Sequence, residues 1–186
     1  MSREGMSRET PTTTLWLLRH GETDWTAAHR LSGSTDVPLN ETGRRQAADA
    51  GRALASLVID TIWSSDLRRA KETASIARPE QPAEADPRLR ELDFGRLEGR
   101  TWDELDEQTQ RSMFAFDDYA APGGESTATM RERVRSFVDA LPAGTHLVVT
   151  HGGVIRIVQG LEGILDAPYT PAGTWVRVAL GRRPKV

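Results

Sequence analysis

Along the chain, short oily runs alternate with longer stretches in which apolar residues recur every three or four positions. "TTLWLL" (Thr13–Leu18) is a run without polar alternation, the pattern of a parallel strand covered on both faces. "NETGRRQAADAGRALASL" sets Ala47, Ala50, Leu54 and Leu57 on one stripe, with its arginines and Asp49 elsewhere and Asn40 where an N-cap is expected. "DTIWSS" predicts a second short strand, and "DLRRAKETASIA" returns to helical spacing with Leu67, Ala70 and Ala74 facing one way. Pro79, Pro82 and Pro87 then break regular structure, and the glycine-punctuated "LRELDFGRLEGR" predicts irregular backbone. A short helix is expected around Trp102 to Thr109. A clear amphipathic one follows "APGGES", with Met130, Val134, Val138 and Leu141 on its inner face. "HLVVT" predicts a third strand, "GGVIRIVQGLEG" a helix, and "GTWVRVAL" a final strand of alternating type.

Strands separated by helices predict an α/β domain with a mostly parallel sheet. With 186 residues, the chain has the size of one compact domain that needs neither disulfide nor structural metal. Residues 13–186 are therefore expected to form a single domain. Residues 1–12 form a polar leader, expected to be disordered, without the apolar segment of a secretory signal. The repeated "MSRE" at Met1 and Met6 points to an ambiguous start rather than a structural repeat.

Charge narrows the functional classes. With 24 Lys and Arg against 27 Asp and Glu, bulk attraction to nucleic acid or an anionic membrane is not indicated, so any anion site must be local. No run approaches the roughly 18 to 20 apolar residues that cross a bilayer, and a cytoplasmic protein is expected. The chain has no cysteine, which removes thiol catalysis and thiolate zinc sites and fits a reducing compartment. His20, His29, His146 and His151 remain for special chemistry.

In parallel α/β sheets, ligands bind beyond the carboxyl ends of the strands. His20 follows the first oily run and His151 follows "HLVVT", each with glycine after it, while "IWSSDLRRA" delivers Arg68 and Arg69 into the first turn of a helix. Two histidines and at least two arginines thus converge on one sheet edge of an acidic protein. This is the make-up of an anion pocket, and arginine forks match phosphate oxygens best. The glycines are expected to permit unusual backbone angles and close ligand approach, and amides of the helix after His151 add donors. An imidazole among guanidinium groups stays neutral and can act as a nucleophile, which singles out His20. A leaving alkoxide needs a proton from a carboxyl whose pKa the site has raised; Glu91, in "LRELDFG", is the best placed.

Six segments in order, "LLRHGETDW", "DVPLNETGRRQA", "SSDLRRAKETA", "ELDFGRLEG", "PGGES" and "VVTHGGVIR", resemble the histidine phosphatase superfamily, the phosphoglycerate-mutase-like enzymes. The resemblance runs from Leu15 to about Arg156 and implies a three-layer αβα fold. It implies that His20 becomes phosphohistidine with Arg19 gripping the phosphoryl oxygens, and that the second arginine is Arg69, immediately before alanine, rather than Arg68. It aligns Glu91 with the general acid and base, and His151, with the amide of Gly152, with the groups that support the transferring phosphate. It also implies catalysis without metal or other cofactor. Relatives usually have asparagine where this chain has Thr26, which predicts a reshaped phosphate contact from a hydroxyl. They often have glycine at the position of His29 and glutamine near Ser32, so the loop from Trp25 to Thr35 is expected to differ locally.

Hydrolysis and phosphoryl relocation share the phosphohistidine and differ in the acceptor. A mutase must exclude water while its intermediate reorients. Only Arg96 to Pro122 separates "ELDFG" from "PGGES", and the chain ends soon after its last strand. The expectation is a phosphatase acting on a small phosphomonoester, with a mutase or an inactive phospho-ligand binder as alternatives. Trp102, Phe114 and Phe116, with Met113 and Tyr119, are expected to wall the substrate, and Asp117 and Asp118 to disfavour highly anionic ones.

Overall fold

In the computed structural model, which describes residues 13–117, 119–165 and 168–181, the oily runs become strands. The order is β1 (Thr13–Arg19), α1 (Asp24–Ala27), α2 (Glu41–Ala53), β2 (Thr61–Ser64), α3 (Arg68–Ala77), β3 (Glu84–Ala85), α4 (Glu107–Ala115), α5 (Thr127–Ala140), β4 (Gly144–Thr150), α6 (Gly152–Leu161) and β5 (Trp175–Leu180). The leader expected over residues 1–12, and Asp118, lie outside the described residues. The sheet order is β3-β2-β4-β1-β5. All neighbours are parallel except β5, which runs antiparallel to β1 at one edge.

Helices cover both faces, which is why "LWLL" carries no polar residue. Leu15, Leu17 and Val148 face α5 and α6, where Met130, Val134, Phe137, Val154, Ile155 and Val158 complete one core. Leu18, Leu147 and Val149 face α2 and α3, against Ala50, Leu54, Ala70 and Ala74. Leu15, Leu17 and Leu18 are all fully buried, each worth about 1.5–3 kcal/mol of transfer free energy. Edge strand β5 alternates, with Val178 buried and Arg177 exposed, as expected of a sheet margin. Asn40 caps α2 by accepting from the Gly43 amide, and Ser126 caps α5 by accepting from that of Thr129.

The helix expected over Trp102 to Thr109 is two elements. Trp102–Glu104 is a 3-10 turn, Leu105 is extended, and Asp106 caps α4 by accepting from the Thr109 amide at 2.9 Å. This second cap restarts the helix and carries it to Ala115, where Phe116 turns left-handed at φ 59°. Thr23 caps the unforeseen α1, and the two-residue β3 forms the sheet's other edge. The irregular stretch after Pro87 interlocks with "PGGES": the Glu125 amide donates to Asp93 O at 2.9 Å and the Arg96 amide to Pro122 O at 3.0 Å. Among the described residues no helix is long and apolar enough to cross a membrane.

Connections diverge where the site forms. Helix α2, on the connection from β1 to β2, packs on one face, and α6, which follows β4, on the other. Between these two adjacent strands the carboxyl edge is left open, as a topological switch point requires.

Candidate active site

The register of β1 and β4 brings the two histidines together. Arg19 is opposite Thr150 at the strand ends, so His20 and His151 emerge side by side, with ring centroids 5.0 Å apart in an edge-on arrangement. Both are buried, His20 at 3% exposure and His151 at 0%. The His20 amide donates to Thr150 O at 2.9 Å and locks the crossover of the two strand ends.

The His20 ring has a defined tautomer. Its Nδ1 lies 2.7 Å from Gly21 O, and a carbonyl only accepts, so Nδ1 carries the hydrogen and Nε2 keeps its lone pair. Burial, then the charges of Arg69 and Arg19, hold the imidazole well below its ordinary value, against the opposing pull of the Gly21 hydrogen bond. His151 is held low by burial first, and then by Arg69, His20, Arg19 and Arg133. Neither of its ring nitrogens has a hydrogen-bond partner among the described residues. A neutral imidazole always retains one N–H, so His151 has a donor to offer an anion beside His20.

The guanidinium groups hang from main-chain carbonyls. Arg69, at the start of α3 and fully buried, donates from Nη1 to Thr35 O at 2.8 Å and from Nη2 to Gly33 O at 2.7 Å. Arg19 donates from Nη1 to Thr170 O at 2.9 Å and lies 4.6 Å from the Tyr169 ring centre. In each, the buried Nε–H is unpartnered among the described residues, an unusual state that an anion would relieve. Burial lowers the Arg69 value, while Glu91, Asp36 and Glu98 act to raise it. Arg68 turns outward and pairs with Glu72 at 2.7 Å.

Glu91 is free of the loop's own cations. Arg88 pairs with Asp86 and Arg90 with Asp66. Its carboxylate instead accepts from the amides of Leu92 at 3.0 Å and Gly153 at 3.1 Å. A Cβ on Gly153 would stand 2.3 Å from Glu91 Oε1, so the second glycine of "HGG" is what lets the carboxylate reach α6. Gly152 opens that helix, and its N–H therefore has no intrahelical acceptor. Sequence reasoning missed Arg133, which donates to the carbonyls of Arg88, Arg90 and Glu91 at 2.8, 2.7 and 3.1 Å and pairs with Glu125. It fixes the backbone that bears Glu91. Nothing in "TATMRERVRSFVDA" distinguishes it from Arg131 or Arg135.

Several expectations change. The glycine after His20 is not there for an unusual angle, since its φ lies outside the left-handed region. A Cβ on Gly21 would meet Gly43 O at 2.3 Å, and one on Gly43 would meet Glu22 O at 2.1 Å. Two backbones cross there, and neither tolerates a side chain. Thr26 spends its hydroxyl inside α1: Oγ1 accepts from the Thr23 amide at 2.7 Å and donates to Thr23 O at 3.0 Å. Its single proton is thus engaged, and the phosphate contact expected of Thr26 is not made in this arrangement. His29 is exposed at φ 54°, which explains why glycine suits that position. His146 is a buried β4 residue, with Nε2 3.0 Å from Pro142 O.

The aromatic wall is also rearranged. Met113 and Tyr119 belong to the core, and Phe116 packs against it beneath the Arg156 guanidinium at 4.9 Å. Phe114 is 76% exposed and Trp102 37% exposed on the outer surface.

Among the described residues there is no group of three or more histidines and carboxylates that could hold a metal. The profile described as "Histidine phosphatase superfamily (branch 1)" matches residues 15–171. A curated relative from Salmonella choleraesuis, "Probable phosphoglycerate mutase GpmB", is 40% identical over 148 residues, covering 74% of this chain and 69% of the relative. The fold is similar to the crystal structure of phosphoglycerate mutase from Thermus thermophilus, at TM-score 0.80 and 39% identity over 93% of this chain and 99% of that one. It is also similar to Bacillus stearothermophilus YhfR, at TM-score 0.78 and 34% identity over 89% and 90% of the two chains. With the profile spanning most of its length, the chain belongs to the histidine phosphatase superfamily.

Proposed function

We propose that the protein is a metal-independent phosphomonoesterase that hydrolyses a small phosphorylated metabolite through a phosphohistidine on His20. The observation that carries this reading is the His20 ring. Its Nδ1–H is spent on Gly21 O, burial and the charges of Arg69 and Arg19 hold the imidazole well below its ordinary value and so favour the neutral form, and each of those two guanidiniums keeps an unpartnered Nε–H. Those arginines supply the positive charge on which phosphoryl transfer depends.

The steps follow from the groups present. Nε2 attacks phosphorus, the P–N bond forms as the ester P–O bond breaks, and Glu91 in its acid form protonates the leaving alkoxide. Glu91 then accepts a proton from water as the water oxygen attacks phosphorus. The P–N bond breaks, inorganic phosphate leaves, and His20 is neutral again. Arg19, Arg69, His151 and the Gly152 amide hold the phosphoryl oxygens throughout. The work is assigned to the cytoplasm, on a small molecule rather than nucleic acid or membrane, consistent with the mildly acidic, cysteine-free composition.

The short segment from Arg96 to Pro122 supports water as acceptor, since a small lid shields the intermediate poorly. Relatives named phosphoglycerate mutase favour a second reading, in which the phosphoryl group returns to the sugar acid. Incubation with a panel of phosphomonoesters and with 3-phosphoglycerate separates the two: release of inorganic phosphate is expected, and 2-phosphoglycerate without free phosphate would sink the hydrolase. His20→Ala is expected to abolish turnover and acid-labile phosphate trapping while keeping the native circular dichroism. Retained hydrolysis in that variant reassigns the nucleophile.

A further inference from the structure

Arg69 does not hold its own position. Its two terminal nitrogens rest on the carbonyls of Gly33 and Thr35, in a loop without regular secondary structure. A guanidinium suspended from a loop is only as well placed as the loop.

At Ser34 and Thr35 that loop is clamped in turn by a carboxylate. Glu98, in "GRLEG", accepts at Oε1 from the Ser34 amide at 2.7 Å and the Ser34 hydroxyl at 3.0 Å. At Oε2 it accepts from the Thr35 amide at 2.8 Å and from the Thr35 hydroxyl. The Phe94 amide adds a longer bond to Oε1 at 3.3 Å. These donors turn the amides of Ser34 and Thr35 toward Glu98, with the carbonyls of Gly33 and Thr35 on Arg69; Thr35 O also accepts from the Val37 amide at 3.1 Å. Gly33 has φ +40°, and a Cβ there would lie 2.0 Å from Glu98 Oε1. The carboxylate is therefore pressed against the loop as closely as a glycine allows. Among the described residues no cation is paired with it: its partners are amide and hydroxyl donors.

We propose that Glu98 is a positioning residue for phosphoryl binding, acting through the Gly33–Thr35 loop to fix the guanidinium of Arg69. The proposal rests on the reading of the site as a phosphate pocket. Glu98 touches the loop, and Arg69 touches the phosphoryl group. Nothing in the sequence connects the two, because Glu98 lies 29 residues beyond Arg69 and its hydrogen bonds reach Arg69 through a third segment, leaving only its charge to act on Arg69 directly.

The direction of the effect distinguishes positioning from simple charge. A carboxylate near an anion site repels the anion, so by Coulomb's law alone its neutralisation in Glu98→Gln would tighten phosphate binding. Positioning predicts the opposite. The carboxamide is nearly isosteric, but its NH2 would face a backbone N–H of Ser34 or Thr35, and two donors cannot bond to each other. That side of the clamp opens, and the carbonyls under Arg69 lose their orientation.

The test measures binding of inorganic phosphate by calorimetry, with thermal melts of each protein, for wild type, Glu98→Gln, Arg69→Lys and the double variant. Glu98→Gln is expected to weaken phosphate binding about tenfold with a native melt, and to add much less in the Arg69→Lys background, because coupled residues are not additive. Tighter or unchanged binding in Glu98→Gln, or full additivity in the double variant, overturns the role of Glu98. Loss of affinity in Arg69→Lys alone leaves the phosphate site standing without that role. If wild type binds no phosphate, the phosphate site and the proposal both fall. Should Glu98→Gln not fold, Ser34→Ala/Thr35→Val removes only the two hydroxyl donors; weaker phosphate binding, by less than tenfold, is then expected, and unchanged binding overturns the clamp.

Discussion

The two ends of the site are built differently. At the end read as the phosphate site, each polar group is fixed to main chain that a strand end, helix start or clamped loop has already positioned: His20 to Gly21 O, Arg69 to Gly33 O and Thr35 O, Glu91 to the Gly153 amide. At the other end, α4 and the residues after it are held by the core packing of Met113 and Tyr119 and, around them, by side chains at the surface. Arg131 reaches Asp117 at 3.7 Å, and Arg156 reaches Ala115 O at 3.3 Å. Exposed pairs of this kind contribute little. On the proposed function, the groups that handle phosphate are anchored to backbone, whereas the region around α4 carries exposed side chains whose ion pairs hold it weakly.

The largest effect should come from the group that links the two ends. In the proposed mechanism Glu91 serves the alkoxide, so its importance depends on what leaves. Glu91→Gln is expected to lower kcat by about 10²–10⁴ for an alkyl phosphate. For p-nitrophenyl phosphate, whose leaving group needs little protonation, the loss of the first step should be far smaller, visible as a burst of nitrophenolate before slow turnover. Equal losses with both substrates and no burst would show that Glu91 is not the acid.

A second measurement probes burial of the phosphate end. Both imidazoles are held below their ordinary value when folded, so below about pH 6.5 the unfolded chain binds protons that the native state refuses. Stability is therefore present above that pH and falls as pH drops, by up to about 1.4 kcal/mol per unit for each histidine. Asp66 and Asp86, lowered by their bonds to Arg90 and Arg88, lose their contribution only at pH near or below the ordinary carboxylate range, so the windows separate. Urea denaturation between pH 7 and 5.5 should show the histidine slope, reduced by about one proton in His20→Asn. An identical slope in the variant would mean that native His20 is charged there.

The same contrast explains what could be read from the sequence. Strand and helix periods follow from burial, and they placed His20, His151, Arg19 and Arg69 at one edge because a strand end or first helical turn determines a side chain's position within a residue or two. The choice of Arg69 over Arg68 came from the family resemblance, and the structure shows the physical basis: one faces the loop carbonyls, the other Glu72. What stayed hidden depends on contacts between distant segments. Gly21 meets Gly43, Arg133 supports the Glu91 backbone, and "PGGES" interlocks with "ELDFG"; periodicity carries no trace of any of these. Thr26 misled for a local reason, because a threonine three residues after Thr23 closes a capping box and consumes its own hydroxyl. The residues expected as an aromatic wall are divided between core and surface because sequence alone does not say which side of α4 and its flanking turns each one takes: Met113 and Tyr119 are in the core, and Phe114 and Trp102 are exposed.

The smallest effect should come from loosening the α4 end alone. Arg156 projects from α6, stacks over Phe116 and donates to Ala115 O, so it ties the end of α4 to the helix whose first turn is proposed to hold the phosphate. Arg156→Ala removes one stacking contact and one long hydrogen bond at an exposed position, a loss of about 1 kcal/mol or less. Since the guanidinium holds the segment rather than the phosphoryl group, kcat for p-nitrophenyl phosphate should be unchanged. KM should shift by no more than a fewfold, and only for substrates large enough to extend from the phosphate end toward α4. Steady-state kinetics across phosphomonoesters of increasing leaving-group size would show this as a size-dependent KM at constant kcat. A uniform fall in kcat would mean instead that the surface end reaches into the phosphate end, and that the two are not built as separately as their anchoring indicates.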